Sequence, residues 1–232
     1  MKLSIVVPCY NEKANVPLLI ERFAQAIRRD DVEVVFVNNG STDGSGEIFE
    51  ALLPQHRFAR YVHVPINRGY GHGILQGLHN ATGEFLGWTH ADLQTDPHDV
   101  LKALALVEEV KGNDSIYVKG CRRGRPVFDN IFTWGMSFFE SCLLGKWMWD
   151  INAQPNIFHK SFFQRWEHPP DDFSLDLFAY YMALKQKCTI VRFDVSFPKR
   201  VHGMSHWNTG ITAKWKFIKR TFQFSLTLKR NL

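Results

Sequence analysis

Gly83-Glu-Phe-Leu-Gly-Trp-Thr-His-Ala-Asp-Leu-Gln-Thr-Asp-Pro97 runs a short apolar strand straight into His90, Asp92, Gln94 and Asp96. Pro97 then suits the first turn of a helix, where its missing N–H is not needed. Oxygen and imidazole donors crowded at a strand's C-terminal end are how an open α/β sheet holds a cation against a phosphate-bearing ligand. The competing reading is a polar strand-to-helix loop with an N-cap. The segments upstream and downstream decide between the two.

Upstream, strand and helix signals alternate. Leu3 to Val7 is a buried strand followed by the loop Pro8-Cys-Tyr-Asn-Glu12. From about Ala14 to Arg29, Val16, Leu19, Ile20, Phe23 and Ile27 share one helical face. Val32 to Val37 is a second buried strand, ending in Asn38-Asn-Gly-Ser-Thr-Asp43, whose hydroxyls and carboxylate can cap the next helix. Arg60 to Val64 is a third strand, and Asn67-Arg-Gly-Tyr-Gly-His-Gly73 opens a helix to about Ala81. Phe85 to Trp88 is the fourth strand and Ile116 to Lys119 the fifth. Continuous apolar strands alternating with helices predict a mostly parallel sheet covered on both faces. Ligands of such sheets sit at the strands' carboxyl ends, where every polar cluster falls.

The second half reads differently. Val127 to Trp149 is aromatic-rich with helical periodicity, Asp150 to Phe158 reads as extended, Leu175 to Lys185 as helix and Thr189 to Phe197 as strand. From Ile211, the spacing puts Trp215, Ile218, Phe222 and Leu226 on one face among lysines, a basic amphipathic helix.

Length and composition fit one α/β domain over residues 1–232, in three stretches: the strand-and-helix half (1–125), the aromatic-rich half (126–210) and a basic tail (211–232). The four cysteines are far apart and form no CxxC pair, so neither a zinc site nor a disulfide framework is expected. Leu3 to Val7 is too short for a signal-peptide core, and the longest uncharged run near the aromatics, Ile131 to Phe139, falls well short of a bilayer. Charge is uneven. Eight of the 28 Lys/Arg and none of the 23 Asp/Glu lie in residues 199–232, which leaves the first 198 residues at −3. A basic tail on a mildly acidic body points to a polyanion or an anionic membrane surface; no nucleic-acid partner is expected.

Taken in order, these pieces resemble glycosyltransferase family 2 of the GT-A fold, in its dolichol-phosphate-mannose-synthase-like branch. The resemblance rests on Ile5-Val-Val-Pro-Cys-Tyr-Asn-Glu12, Val37-Asn-Asn-Gly-Ser-Thr-Asp43, Asn67-Arg-Gly-Tyr-Gly73, Ala81-Thr-Gly-Glu-Phe85, His90-Ala-Asp-Leu-Gln-Thr-Asp-Pro97 and Gly120-Cys-Arg122. Phe197-Pro-Lys-Arg-Val-His-Gly-Met-Ser-His-Trp207 looks like the family's basic loop, so the likeness spans about residues 3 to 210. It implies a nucleotide diphosphate sugar as donor, a nucleotide-sugar-binding half in residues 1–125, an acceptor half in 126–210, and Mn²⁺ or Mg²⁺ as cofactor. Donor contacts are expected from Pro8, Tyr10, Glu12, Asn38, Arg68, Ala91, Asp92, Arg122, Arg200 and Ser205. The metal is expected at Asp92 and Gln94, with His90 as a further ligand. A leaving diphosphate needs its developing charge neutralised, which is work for a divalent cation and arginines.

Two departures bear on this. Asn38 and His90 stand where the family usually has Asp. An amide donates as well as accepts, so base preference is expected to differ. His90 is either a nitrogen ligand, favouring Mn²⁺ over Mg²⁺, or a hydrogen-bond donor to phosphate. For inversion, a carboxylate takes the acceptor's proton or orients an acceptor already ionised. Asp150 is the first candidate and Asp176 the second.

The expected activity is an inverting, metal-dependent transfer of one sugar to a membrane-associated acceptor, polyprenyl phosphate or a polyprenyl-linked glycan, by a protein peripheral on the membrane's cytoplasmic face. A non-lipid glycan acceptor and a non-catalytic nucleotide-sugar or lipid-binding subunit are the alternatives. A nucleotidyltransferase lacks its activating lysine and glycine-rich signature here, and an NAD-binding oxidoreductase its GxGxxG after the first strand.

Overall fold

Among the described residues, seven strands form one sheet in the order β3-β2-β1-β4-β6-β5-β7. The computed structural model describes residues 2–110, 112, 114–198 and 211–230, with the backbone alone for residue 128 and residues 211–218. The strands are β1 (Leu3–Cys9), β2 (Val32–Asn39), β3 (Ala59–Val64), β4 (Phe85–Trp88), β5 (Ile116–Arg123), β6 (Asn156–His159) and β7 (Thr189–Ser196). The β6 strand runs antiparallel to both β4 and β5, and the other pairings are parallel. The mostly parallel α/β sheet expected from the sequence is therefore the observed fold.

Period-two alternation divides β1 between two cores. Leu3, Ile5 and Val7 face α1 (Val16–Ala26), α2 (Ser45–Leu52) and α4 (Pro97–Glu109), packing with Phe23, Phe36, Phe49 and Leu104. Val6 faces the other way, toward α3 (Tyr70–Asn80) and α7 (Leu175–Lys185), with Ile74, Trp88, Phe158 and Phe178. The α3 helix lies close on β1 because residue 77 is glycine: a Cβ there would collide with Val6. Gly69 and Gly71 have a similar use. A Cβ on either would meet the backbone of residues 170–172, whose Asp171 carbonyl accepts from His72 N at 2.8 Å.

Several boundaries differ from the sequence reading. Asp150 to Phe158 is not one extended run. Asp150 takes a left-handed φ of 47°, residues 151–152 turn, and only Asn156–His159 pairs as β6. The β5 strand reaches Arg123 because β7 pairs with it from Ile116↔Thr189 to Arg123↔Ser196, a non-local partner that no local pattern reveals. The helix α5 (Val127–Leu144) stops five residues before Trp149, at Gly145 with φ 66°, which a glycine adopts without strain. The short α6 (Lys160–Gln164) carries too few turns to show periodicity.

The C-terminal α8 (Ile211–Arg230) packs on α5. Its inward side is Thr221, Ser225 and Leu228, all buried, while Phe222 is largely exposed and Leu226 half-buried. The inward face is thus turned from the expected one; the side chains of Trp215 and Ile218 lie outside the described residues. Phe222 still meets Phe139 of α5 at 5.5 Å, and Arg220 joins the rim of the site through Asp172 at 3.0 Å.

Candidate active site

The parallel strands end together, and their carboxyl ends open into a cavity of about 590 Å³. From β1 and the loop after it come Pro8, Tyr10 and Glu12; from the loop after β4, His90, Ala91, Asp92 and Gln94. Arg122 closes the β5 side, and Asp176, at the start of α7, also lines the cavity. Nine of the expected site residues therefore share one cavity.

The loop after β4 is held by its own side chains. Asp92 Oδ1 accepts from Gln94 N at 3.1 Å, Thr89 Oγ1 donates to Thr95 Oγ1 at 3.0 Å, and Asp96 caps α4 by accepting from His98 N at 2.9 Å. Asp96 is thus an N-cap, while Asp92 faces the cavity. Gln94 Nε2 donates to the Pro198 carbonyl at 2.8 Å. Among the described residues, no group of three or more His, Cys, Asp or Glu gathers as a metal site. Asp92, Gln94 and His90 line one cavity and bring a carboxylate, an amide and an imidazole to it, donor types that a divalent cation accepts alongside diphosphate oxygens.

Three expected contacts lie elsewhere. Asn38 is buried and points away from the cavity: its Nδ2 donates to Tyr61 Oη at 3.2 Å and stands 3.4 Å from His63 Nδ1, while its Oδ1 accepts from Ser41 N at 3.0 Å. Arg68 is exposed and does not line the cavity. Asp150 is buried under Arg122, accepting from Arg122 N at 2.8 Å and from Nε at 2.9 Å, with a further contact to Nη2. Burial alone would raise its pKa, yet the Arg122 guanidinium and backbone N–H hold the carboxyl below the usual carboxylate range. A carboxylate so fully engaged is a poor proton acceptor. Of the two candidate carboxylates, Asp176 lines the cavity and Asp150 does not, and Arg122 lines it while bound to Asp150. Arg200 and Ser205, with the basic loop from residue 199 onward, lie outside the described residues, while Phe197 at its start lines the cavity.

Asp176 is the opposite case. It is 2% exposed yet lines the cavity. Burial is the largest influence and pushes its carboxyl up, against the nearby Lys119 and the hydrogen bonds from Trp88 and Asn156. A raised carboxyl pKa suits a general base near neutral pH.

Residues missed in the sequence complete the wall. Asn39 replaces Asn38, with Nδ2 donating to the Gly69 carbonyl at 2.9 Å. Tyr70 stacks on Phe173 at 4.6 Å and accepts from Gln154 Nε2. From α5 come Phe132, Thr133, Met136 and Ser137, and from the turn just before it Arg125, whose Nη1 donates to Thr133 Oγ1 at 2.7 Å. Asn39 and Tyr70 fall within quoted motifs and were available as neighbours of the assigned positions. The α5 residues carried no local signal.

The family model described as glycosyl transferase family 2 matches residues 4–167. The undecaprenyl-phosphate 4-deoxy-4-formamido-L-arabinose transferase of Yersinia enterocolitica is 28% identical over 163 residues, covering 68% of this chain and 49% of the relative. Its counterpart from Photorhabdus laumondii is 30% identical over 133 residues, covering 55% and 39%. The chain thus spans about half the length, or less, of these relatives. Among solved structures, glucosyl-3-phosphoglycerate synthase from Mycobacterium tuberculosis, in complex with Mn²⁺, UDP-glucose and phosphoglyceric acid, superposes with a TM-score of 0.77. That match covers 100% of this chain and 80% of the other at 14% identity, a likeness of fold alone.

Proposed function

This chain belongs to glycosyltransferase family 2, and from that membership we propose that it moves one sugar from a nucleotide diphosphate sugar to a polyprenyl phosphate. The transfer inverts the anomeric carbon, uses Mn²⁺ or Mg²⁺, and takes place at the cytoplasmic face of a membrane. The observation that carries the reading is one cavity shared by the loops after β1 and β4, by Asp176 and by α5. Relatives named as undecaprenyl-phosphate transferases support the acceptor class.

Pro8, Tyr10, Glu12 and Asn39 wall the nucleoside side. Asp92, Gln94 and His90 would hold the cation, which supplies charge neutralisation for the departing diphosphate. Asp176 takes the proton of a protonated acceptor or orients one already ionised. A phosphate monoester has its second pKa near about 6, so both forms enter at neutral pH. Arg125 gives the α5 side a cation for the acceptor's negative charge.

The membrane reading is supported by α5. Val127, Ile131, Trp134 and Phe138 recur at helical spacing as one stripe and are 71%, 62%, 62% and 63% exposed. Thr133, Met136 and Ser137 on the same helix line the cavity. A bilayer meeting that stripe lies one helix thickness from the acceptor side. Phe222 extends the patch onto α8, whose Lys219, Lys229 and Arg230 are exposed beside it. Among the described residues, no helix is long and apolar enough to cross a membrane.

Thermal shifts with UDP, GDP, CDP and dTDP, each with Mn²⁺ or Mg²⁺, test the donor side. A ligand that binds only the folded state raises apparent stability by mass action. One nucleotide is expected to stand out, and only with a cation. A flat panel would contradict the reading.

A further inference from the structure

Lys119 lies in β5 with none of its surface exposed. A buried ammonium costs several kcal/mol unless it is paired, and the chemistry above makes no use of it. Its Nζ donates to the Ala153 carbonyl at 2.6 Å and to Asn156 Oδ1 at 2.7 Å, and lies 5.5 Å from the Tyr180 ring centroid. All three partners are neutral. Asp150, the other carboxylate acting on it, is engaged by Arg122. Asp176 is the strongest opposite charge acting on Lys119, and one side-chain amide links the two.

That amide has its orientation fixed. Asn156 Oδ1 receives Lys119 Nζ and also Tyr117 Oη, the latter at 3.1 Å. An amide oxygen only accepts, so Nδ2 faces the other way and donates to Asp176 Oδ1 at 3.2 Å. Trp88 Nε1 donates to the same oxygen at 3.1 Å. With both donors on Oδ1, Oδ2 is the atom left for the cavity that Asp176 lines.

We propose that Lys119, acting through Asn156, is the positioning residue that keeps Asp176 ionised and its second oxygen aimed into the cavity. The proposal rests on the reading of Asp176 as the proton acceptor. Burial pulls the Lys119 ammonium down and pushes the Asp176 carboxyl up, and each charge opposes the shift of the other. Among the described residues, the other groups acting on the pair are Arg122 and Tyr117 of β5, Arg192 of β7, Tyr70 of α3, Tyr180 of α7 and Asp150. Tyr70 and Tyr117 stay protonated because burial raises both phenols well above their ordinary value. Arg192 is held by the carbonyls of Trp149 and Gly120.

The test is Lys119→Met in the full chain, with the Asp176 carboxyl carbon titrated by NMR and the kinetics measured in parallel. Loss of the ammonium should raise the Asp176 midpoint by about one pH unit or more. Turnover at neutral pH should fall about tenfold, with KM for the nucleotide sugar unchanged because Lys119 does not line the cavity. Asn156→Leu cuts the bridge while keeping the charge, and carries the test if Lys119→Met fails to fold; it should lower turnover with a smaller midpoint shift. An unmoved midpoint in Lys119→Met, or a rise in KM alone in either variant, would overturn the proposal whatever the turnover. Turnover retained in Asp176→Asn would instead refute the proton-acceptor reading beneath it.

Discussion

Arg122 and Asp150 form a closed pair: one carboxylate receives a backbone N–H and two guanidinium nitrogens, with both side chains largely buried. Breaking such a pair leaves an uncompensated charge, so Asp150→Asn should lose about 3–5 kcal/mol of stability in urea unfolding. Arg122 would then be released toward the cavity. Asn39 carries a different prediction. It lines the cavity while Asn38 is tied to Tyr61 and His63, so Asn39→Asp should alter the ranking of nucleotides in a thermal-shift panel and Asn38→Asp should leave it. One mismatched buried pair is worth about 1–3 kcal/mol, enough to reorder affinities; an unchanged ranking in Asn39→Asp would remove its role. These residues show where sequence reading stops. Asp92 and Gln94 were legible because one short loop presents them together. The choice between Asp150 and Asp176 turns on an arginine 28 residues from the first and a tryptophan 88 residues from the second, pairings no local pattern contains.

At the scale of elements, α5 does two things, and periodicity revealed only that it is a helix. Its exposed stripe and its cavity face are both partly apolar, so only the packed structure tells them apart. If the stripe meets a bilayer, Trp134→Glu with Phe138→Glu should release the protein from anionic vesicles while nucleotide binding persists. Binding carried by the exposed Lys219, Lys229 and Arg230 should fall with salt, since charge is screened over about 8–10 Å at physiological ionic strength. Equal sedimentation of variant and native protein would separate the stripe from the membrane. The α5–α8 seam has its own titration. Glu140 is buried, its Oε2 has no partner, and burial raises its pKa to about 7 against a hydrogen bond from Ser225. A carboxyl raised in the folded state binds more protons folded than unfolded, so stability falls as pH rises from its ordinary range through about 7. Glu140→Gln should flatten that limb of the melting-temperature profile, and an unaltered profile would exclude Glu140 as its source.

Across the whole molecule, the order of strands and helices was legible because a parallel sheet covered on both faces writes continuous apolar strands into the sequence. The antiparallel β6 was less so, since four residues between a turn and a short helix carry little signal. The mostly parallel sheet gathers the polar loops after β1 and β4 at one end, and the packing of α5 and α7 there supplies the opposite wall of the cavity and Asp176. The central claim is transfer from a nucleotide sugar to a lipid phosphate within that cavity. It is tested most directly by incubating the chain with radiolabelled nucleotide sugar, Mn²⁺ and vesicles holding a polyprenyl phosphate, then extracting with organic solvent. The account predicts label in the organic phase that disappears with chelator and in Asp92→Asn and Asp176→Asn. Label that stays in water across the donors tested, while a soluble acceptor becomes glycosylated, would contradict it.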